Sequence, residues 1–346
     1  MRAAVVGAGY ISRHHIRALQ SLPNVDLVAI CDRSPAVAQS VAAQFEIENW
    51  FTDHRAMLDS TKPTVTHVTT PIGTHFAIAS DAIRSGSHVF VEKPITHNYQ
   101  DWELLRQEAV RAQRLVVEDQ NYRFNRPFQL LLDSLEDGSF GEIVHVDVTF
   151  CLNLEGSVFE DPNLRHETLD MPGGPIIDFL PHLAYLAQSL IGTHHSVSTI
   201  WNKRNPSVNV PYDEFRGLIE GRDATASLSF SGSSQPDGFW VTAYGTRMQT
   251  RINLLEDRMT SVRLRSGPSP LMHLFNGLSE GKATRQCARN SLLRKLSGGP
   301  ASYEGLFELI RRFYKSVEKR IDPPVSLSQI DETQRLVRDL TQDMPF

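Results

Sequence analysis

The chain has 346 residues, a length that suits two domains of roughly 150 residues each. Apolar residues make up 40% and charged residues 22%, the balance of a soluble globular protein with enough material for two cores. A formal net charge of −5 removes the global basic field that nucleic-acid binding uses, so no nucleic-acid partner is expected. In chain order, residues 3–6 form a short apolar run that stops at Gly7. Ile11, Ile16, Leu19 and Leu22 then recur at helical spacing. A second apolar run, 27–31, ends at Asp32, with Ser34 placed as a cap and Pro35 suited to a first helical turn. Further strands are expected at 49–52, 65–69, 89–91 and 115–118, with helices near 76–84 and 99–112. Apolar strands separated by helices predict a doubly wound parallel sheet covered on both faces, a Rossmann arrangement.

After about residue 125 the rhythm changes. Val144, Val146, Val148 and Phe150 alternate, as in a strand with one covered face. Runs at 197–201, 215–220, 224–231, 239–244, 248–254 and 261–265 also read as strands and follow one another through turn signals. This predicts an α+β second domain, an open mixed or antiparallel sheet with helices on one face. The expected division is a dinucleotide-binding domain at 1–122 and a substrate-binding and oligomerisation domain at 123–346.

Gly7-Ala8-Gly9-Tyr10-Ile11-Ser12 stands between the first strand and the first helix. Glycine suits a tight turn and a close approach of backbone to pyrophosphate, and the helix N-terminus offers N–H groups and a favourable dipole. Asp32 ends the second strand, 25 positions after Gly7. Its carboxylate accepts ribose hydroxyls and repels a 2′-phosphate, so NAD is the expected cofactor; Arg33 leaves room for NADP. Glu92-Lys93-Pro94 closes the fifth strand at the same edge, where a lysine can bind substrate and stabilise a developing alkoxide.

At this point the chain resembles the glucose–fructose oxidoreductase/inositol dehydrogenase/MocA (Gfo/Idh/MocA) family along nearly its whole length. The resemblance is carried by Gly7-Ala8-Gly9-Tyr10-Ile11 with His15, Thr70-Pro71 with His75, and Glu92-Lys93-Pro94. It continues through Asn121-Tyr122-Arg123-Phe124, Gly138-Ser139-Phe140-Gly141-Glu142-Ile143, and Gly173-Gly174 with Asp178 and His182, then closes on Tyr303 and Pro324-Val325-Ser326. It implies a Rossmann domain followed by an open sheet whose exposed face makes homodimers or homotetramers. It also implies that Thr70, Pro71, His75, Glu92, Lys93 and Asn121 lie around the cofactor.

Asp178 and His182, four residues apart, share one face if they lie on a helix, and Pro181 is expected to start that helix. A carboxylate beside an imidazole fixes its tautomer and supports a general base. The resemblance assigns Lys93, Asp178 and His182 the catalytic proton work. The chain departs from the family pattern at Leu180, where glycine is common, and at Tyr185, where aspartate is common; Tyr185 therefore joins the expected pocket floor. Arg123, Arg165 and His166 are further expected substrate contacts.

Other features point to simple readings. Cys31, Cys151 and Cys287 are far apart and odd in number, which favours reduced thiols over disulfides or zinc. No signal peptide and no bilayer-length apolar run are evident, so the expected location is cytoplasmic, without a membrane span. No metal site is expected, because neighbours such as His14-His15 and His194-His195 on a helix point about 100° apart. Residues 266–300 read as an insertion with two short helical pieces near 271–278 and 288–296, packed on its own domain or a subunit partner, with a membrane-surface amphipathic piece as the alternative. The expected function is hydride transfer between NAD and a sugar, sugar derivative or cyclic polyol. Two alternatives stand beside it: a glycosidase-like enzyme that retains its NAD with no net redox change, and a non-catalytic dinucleotide-sensing regulator.

Overall fold

The computed structural model describes residues 1–155, 171–265, 269–296 and 303–345. The chain divides into two compact units, Met1–Asn121 with Gly305–Arg335 and Tyr122–Glu304 with Leu336–Phe346.

In the first unit, β1 (Arg2–Val6), β2 (Asp26–Cys31), β3 (Asn49–Phe51), β4 (Val65–Val68), β5 (His88–Val91) and β6 (Val116–Glu118) form one parallel sheet in the order β3-β2-β1-β4-β5-β6. Helices α1 (Ser12–Gln20), α2 (Pro35–Gln44), α3 (His54–Thr61), α4 (His75–Arg84) and α5 (Tyr99–Ala112) carry the chain between strands. Ala3, Ala4, Val5, Val89, Phe90 and Val91 are fully buried, which is why these strands are apolar throughout rather than alternating. The strand order reverses between β1 and β4, so the loops after the strands open a crevice on one edge of the sheet. Helix α3 has little sequence signal beyond Met57 and Leu58; the Asp53 carboxylate caps it, accepting from the N–H groups of Arg55 at 2.7 Å and Ala56 at 3.0 Å. At α2 the cap differs from expectation. The Ser34 side chain makes no cap bond, and its N–H donates to Asp32 Oδ1 at 2.9 Å, while Pro35 takes the first turn as foreseen.

A division at 122/123 treats the rest of the chain as one piece, whereas residues 305–335 return to the first unit. The cause is an amphipathic helix, α9 (Glu304–Lys319). Leu306, Leu309, Ile310 and Phe313 share one face and are fully buried, and Phe313 meets Phe90 edge-on at 5.8 Å between ring centres. From α10 (Leu327–Thr341), Asp331 accepts a 3.0 Å bond from the Trp102 indole N–H.

In the second unit α6 (Arg126–Glu136) precedes β7 (Ile143–Cys151), and α7 (Pro175–Ile191) precedes β8 (His194–Asn202), β9 (Glu214–Gly221), β10 (Thr225–Ser231), β11 (Gly238–Gly245), β12 (Met248–Asn253) and β13 (Arg258–Arg263). The seven strands form a mixed sheet in the order β13-β12-β11-β7-β10-β9-β8, antiparallel except between β7 and β10. One face builds the core: Val146, Val148, Phe150, Leu228, Phe230 and Val241 pack with Leu180, Leu183, Ala184 and Ala187 of α7. On the other face Ile200 and Leu218 remain 67% and 62% exposed.

Three expectations change here. Helix α7 begins at Pro175, and Pro181 lies inside it. Proline fits the first turn at Pro175, and the buried apolar run from Leu180 to Ile191 holds the helix through the N–H that Pro181 lacks. His194 and His195 lie on β8 rather than on a helix, and His194 Nε2 pairs with Asp339 at 2.9 Å. The insertion holds one helix of 28 residues, α8 (Ser269–Leu296), instead of two pieces, and it runs beside β13. Leu271, Leu274, Phe275 and Leu278 on it are at least half exposed.

Candidate functional site

Each expected cofactor residue follows the carboxyl end of a parallel strand. Gly7 follows β1, Asp32 and Arg33 follow β2, and Thr70 and Pro71 follow β4; Glu92 and Lys93 follow β5, and Asn121 follows β6. The loops continue the ladder: Gly7 N–H donates to Cys31 O at 2.8 Å, Glu92 N–H to Val68 O at 2.9 Å, and Asp119 N–H to Val91 O at 2.8 Å. The sheet therefore brings these residues to one edge, with His75 opening α4 beside them.

The glycine turn fits a dinucleotide on local geometry. Gly7 has φ of +98°, and a Cβ there would stand 2.6 Å from the Thr69 carbonyl. Gly9 is exposed, and a Cβ on it would meet nothing within 4 Å, so a ligand can approach its backbone closely. Tyr10 is 72% exposed and Ile11 caps α1. Asp32 is half-buried; its Oδ2 accepts the Ala8 N–H at 2.9 Å, tying the end of β2 to the glycine turn, while Arg33 is exposed. Buried His75 spans two loops, with Nε2 2.7 Å from Thr70 O and Nδ1 2.9 Å from Pro94 O. Burial lowers its pKa, and a neutral ring donates to one of the two carbonyls at a time.

The second unit holds the other expected residues. Asp178 and His182 are one helical turn apart on α7, Asp178 partly exposed and His182 buried. His182 Nδ1 lies 2.8 Å from the Tyr185 hydroxyl, which also accepts the Tyr122 N–H at 3.2 Å. The Tyr122 ring stands edge-on to His182 at 4.9 Å. The imidazole is thus steadied at Nδ1 by a buried phenol. Arg123 is buried, and its carbonyl accepts from Gln129 Nε2 at 2.7 Å. Arg165 and His166 lie outside the described residues.

Sequence reasoning left one group unread. Behind Lys93, all within the first unit, runs a buried chain of hydrogen bonds. Tyr314 Oη lies 3.1 Å from His67 Nε2, His67 Nδ1 lies 2.9 Å from His15 Nδ1, and His15 Nε2 lies 2.9 Å from Glu92 Oε1. Glu92 in turn shares a side-chain hydrogen bond with Asp119. Phe90 stacks on His67 at 4.9 Å and covers the chain. Burial drives the His67 pKa well below its ordinary value. Burial and the charge of Glu92 push Asp119 well above the carboxylate range. Burial also opposes ionisation of Glu92, but the His15 bond and the Lys93 charge outweigh it and leave Glu92 below the usual value. His15 is thus fully buried within a polar chain, not at the surface. Its sequence signal was its place in the first motif, and Asp119 sits after β6 as Asp32 sits after β2. His15, Glu92 and Asp119 also stand close enough to share a cation, yet their polar atoms bond to one another. Elsewhere in this unit, a pocket of about 260 Å³ includes Met1, Asn24 and Lys319 and none of the candidate site residues.

A parallel sheet in this order, with a positive-φ glycine after β1 and a carboxylate after β2, defines a dinucleotide-binding Rossmann unit, joined in this chain to a mixed-sheet unit. Residues 1–120 match the family model described as "Oxidoreductase family, NAD-binding Rossmann fold", and residues 128–251 match the "GFO/IDH/MocA C-terminal domain". The chain belongs to the Gfo/Idh/MocA oxidoreductase family. It is 28% identical over 197 residues to the D-glucoside 3-dehydrogenase of Escherichia coli (strain K12), covering 56% of this chain and 54% of that protein. It is 26% identical over 171 residues to a glycosyl hydrolase family 109 protein of Shewanella woodyi, covering 46% of this chain and 36% of that protein. The chain spans about half the length, or less, of these curated relatives. In fold it is similar to an NAD binding oxidoreductase from Klebsiella pneumoniae, with a TM-score of 0.81 at 20% identity over 99% of this chain and 96% of the other. It is also similar to the WlbA dehydrogenase from Bordetella pertussis, solved with NADH and UDP-GlcNAcA, with a TM-score of 0.79 at 20% identity over 99% and 94%. Among the described residues no helix is long and apolar enough to cross a membrane.

Proposed function

We propose that the protein is an NAD-dependent dehydrogenase or reductase acting on a CH–OH group of a sugar, sugar derivative or cyclic polyol, in the cytoplasm. The observation that carries this reading is the assembly of Gly7, Gly9, Asp32, Thr70 and Lys93 on one edge of the parallel sheet. Bound there, the nicotinamide supplies hydride acceptance and return. Gly7, Gly9, Tyr10 and Ile11 hold the pyrophosphate turn, Asp32 and Arg33 the adenosine ribose, and Thr70, Pro71, His75, Glu92, Lys93 and Asn121 the remainder. Lys93 binds the substrate oxygen and stabilises charge that builds on it. His182, steadied by Tyr185 and with Asp178 one turn away, takes the alcohol proton. Arg123, Arg165, His166 and Tyr185 complete the substrate contacts. The named activity of the E. coli relative supports a sugar substrate.

The test is a panel of sugars, glycosides, nucleotide sugars and inositols with NAD, followed by nicotinamide absorbance. Turnover with an absorbance change is expected for at least one alcohol. Glycoside cleavage with no absorbance change would move the assignment to the hydrolytic relatives. Binding of NAD with no turnover of any kind would leave a dinucleotide sensor.

Cofactor preference follows from charge. The Asp32 carboxylate stands where a 2′-phosphate would be repelled, so NAD should bind more tightly than NADP, and Asp32→Ala should narrow the gap. Calorimetry that finds NADP tighter would shift the credit to Arg33. The outer face of the mixed sheet carries exposed Ile200 and Leu218, and strands at 224–231 and 239–254 offer the surrounding surface. A homodimer or homotetramer through this face is expected; a monomer by light scattering at micromolar concentration would oppose it.

A further inference from the structure

We propose that the outward face of helix α8 docks on an anionic phospholipid surface, so that the protein lies against a membrane by one helix without crossing it. The proposal goes beyond the oxidoreductase reading and does not depend on it.

A surface helix of a globular protein ordinarily turns its apolar stripe toward the core. Helix α8 does the reverse. It rests on β13 through small and polar groups. Cys287 Sγ lies 3.7 Å from the Met259 carbonyl oxygen, and Asn276 Oδ1 accepts a 2.8 Å bond from Arg265 Nε. Between 271 and 289 the half-buried positions are Met272, Asn276, Ala283, Thr284 and Cys287, which share one side of the helix. Leu271, Leu274, Phe275 and Leu278 lie on the other side, each at least half exposed. Lys282, Arg285 and Arg289 continue that side and are exposed as well. At about 100° per residue, all of these outward residues fall within about 60° of Leu271. Glu280, the acidic residue of this stretch, falls on the opposite side.

Two apolar turns followed by three cations on one face define the partner. The apolar side chains gain by leaving water, and the cations gain by meeting anions. An anionic bilayer offers both along one surface. Its acyl boundary takes the leucines and Phe275, and its phosphates take Lys282, Arg285 and Arg289, whose aliphatic stems can lie along the apolar layer. The face from Leu271 to Arg289 is about 27 Å long at about 1.5 Å per residue, a length that suits a flat partner. Nucleic acid would serve the cations and leave the four apolar side chains wet. A second copy paired on the apolar turns would bury these few side chains from each chain, against about 20–30 residues a side in a stable interface. Charge distribution supports the same choice. The chain as a whole carries −5, whereas 271–289 holds three cations and one acid, so α8 presents a local positive face on a negative protein. An anionic surface therefore attracts the molecule through this helix.

Vesicle co-sedimentation of the full chain tests the proposal. Vesicles of phosphatidylcholine mixed with phosphatidylglycerol should carry the protein down, and vesicles of phosphatidylcholine alone should carry far less. Raising salt from about 0.1 M to about 1 M cuts the Debye length from about 10 Å to about 3 Å and should release most of the bound protein. Lys282→Glu with Arg285→Glu should lower the partition coefficient for the mixed vesicles by at least about tenfold. Leu274→Glu with Phe275→Glu should reduce binding to the level of the neutral vesicles. These positions face outward, so urea midpoints and NAD affinity should match the parent in both double variants. No sedimentation with the mixed vesicles, equal sedimentation with both kinds, or binding unchanged in both variants would overturn the proposal. So would a parent that ignores vesicles while its mass by light scattering falls in Leu274→Glu with Phe275→Glu, a result that gives the face to a second copy. The lipid and salt dependence of the wild type decides the matter even if a variant does not fold.

Discussion

Replacing His182 by alanine is expected to lower kcat by about 10²–10⁴-fold, the usual cost of a lost general base, with NAD affinity nearly unchanged. The split follows from where the residues sit. The expected NAD contacts all belong to Met1–Asn121, whereas His182 lies on α7 among Phe179, Tyr122 and Tyr185. Lys93→Ala should instead weaken both NAD binding and turnover, because the proposed function gives its ammonium both cofactor ribose and substrate oxygen. Stopped-flow turnover on the identified substrate, with NAD affinity from calorimetry, separates the two variants. Full activity in His182→Ala would transfer the base to Tyr185 or Lys93. Tyr185→Phe refines the point, since it removes only the hydroxyl that meets Nδ1 at 2.8 Å. A smaller fall in kcat than that of His182→Ala is expected there.

Gly7→Ala should fail at folding before chemistry is reached. The backbone at Gly7 sits at φ +98°, which side-chain-bearing residues rarely adopt, and the strain alone costs about 1–3 kcal/mol. The added methyl would also stand 2.6 Å from the carbonyl carbon and oxygen of Thr69 and 2.8 Å from the Thr70 nitrogen, all backbone atoms that cannot swing aside. Moving them would pull Thr69 off its 2.8 Å bond to Val6 O and open the β1–β4 seam where the strand order reverses. Urea denaturation should show a lower midpoint, and NAD titration should show affinity lost in whatever fraction folds. Gly9→Ala is the control. Its methyl meets nothing in the protein, so stability should hold while NAD binding weakens. A Gly7→Ala protein as stable as the parent would mean that the turn is not held as tightly as its contacts require.

The sequence by itself determined what local pattern can encode. Continuous apolar runs ending at Gly7, Asp32 and Glu92 marked strands buried on both faces, and the alternation at Val144 to Phe150 marked a strand with one covered face. Those signals were enough for the parallel sheet and the mixed sheet, because strand period and turn chemistry reside in a few neighbouring residues. What depends on partners distant in the chain was decided only by the tertiary structure. Leu306, Leu309, Ile310 and Phe313 have helical spacing in the sequence, yet nothing local says that their apolar face belongs to the first unit and covers Phe90. Pro181 reads as a helix start until the buried length of α7 outweighs its missing N–H. His15 is an ordinary helical histidine until His67, 52 residues on, and Glu92, 77 residues on, close around it. A hydrogen bond or an edge-on ring contact requires two groups at one place, and for residues this far apart only the folded backbone brings them there.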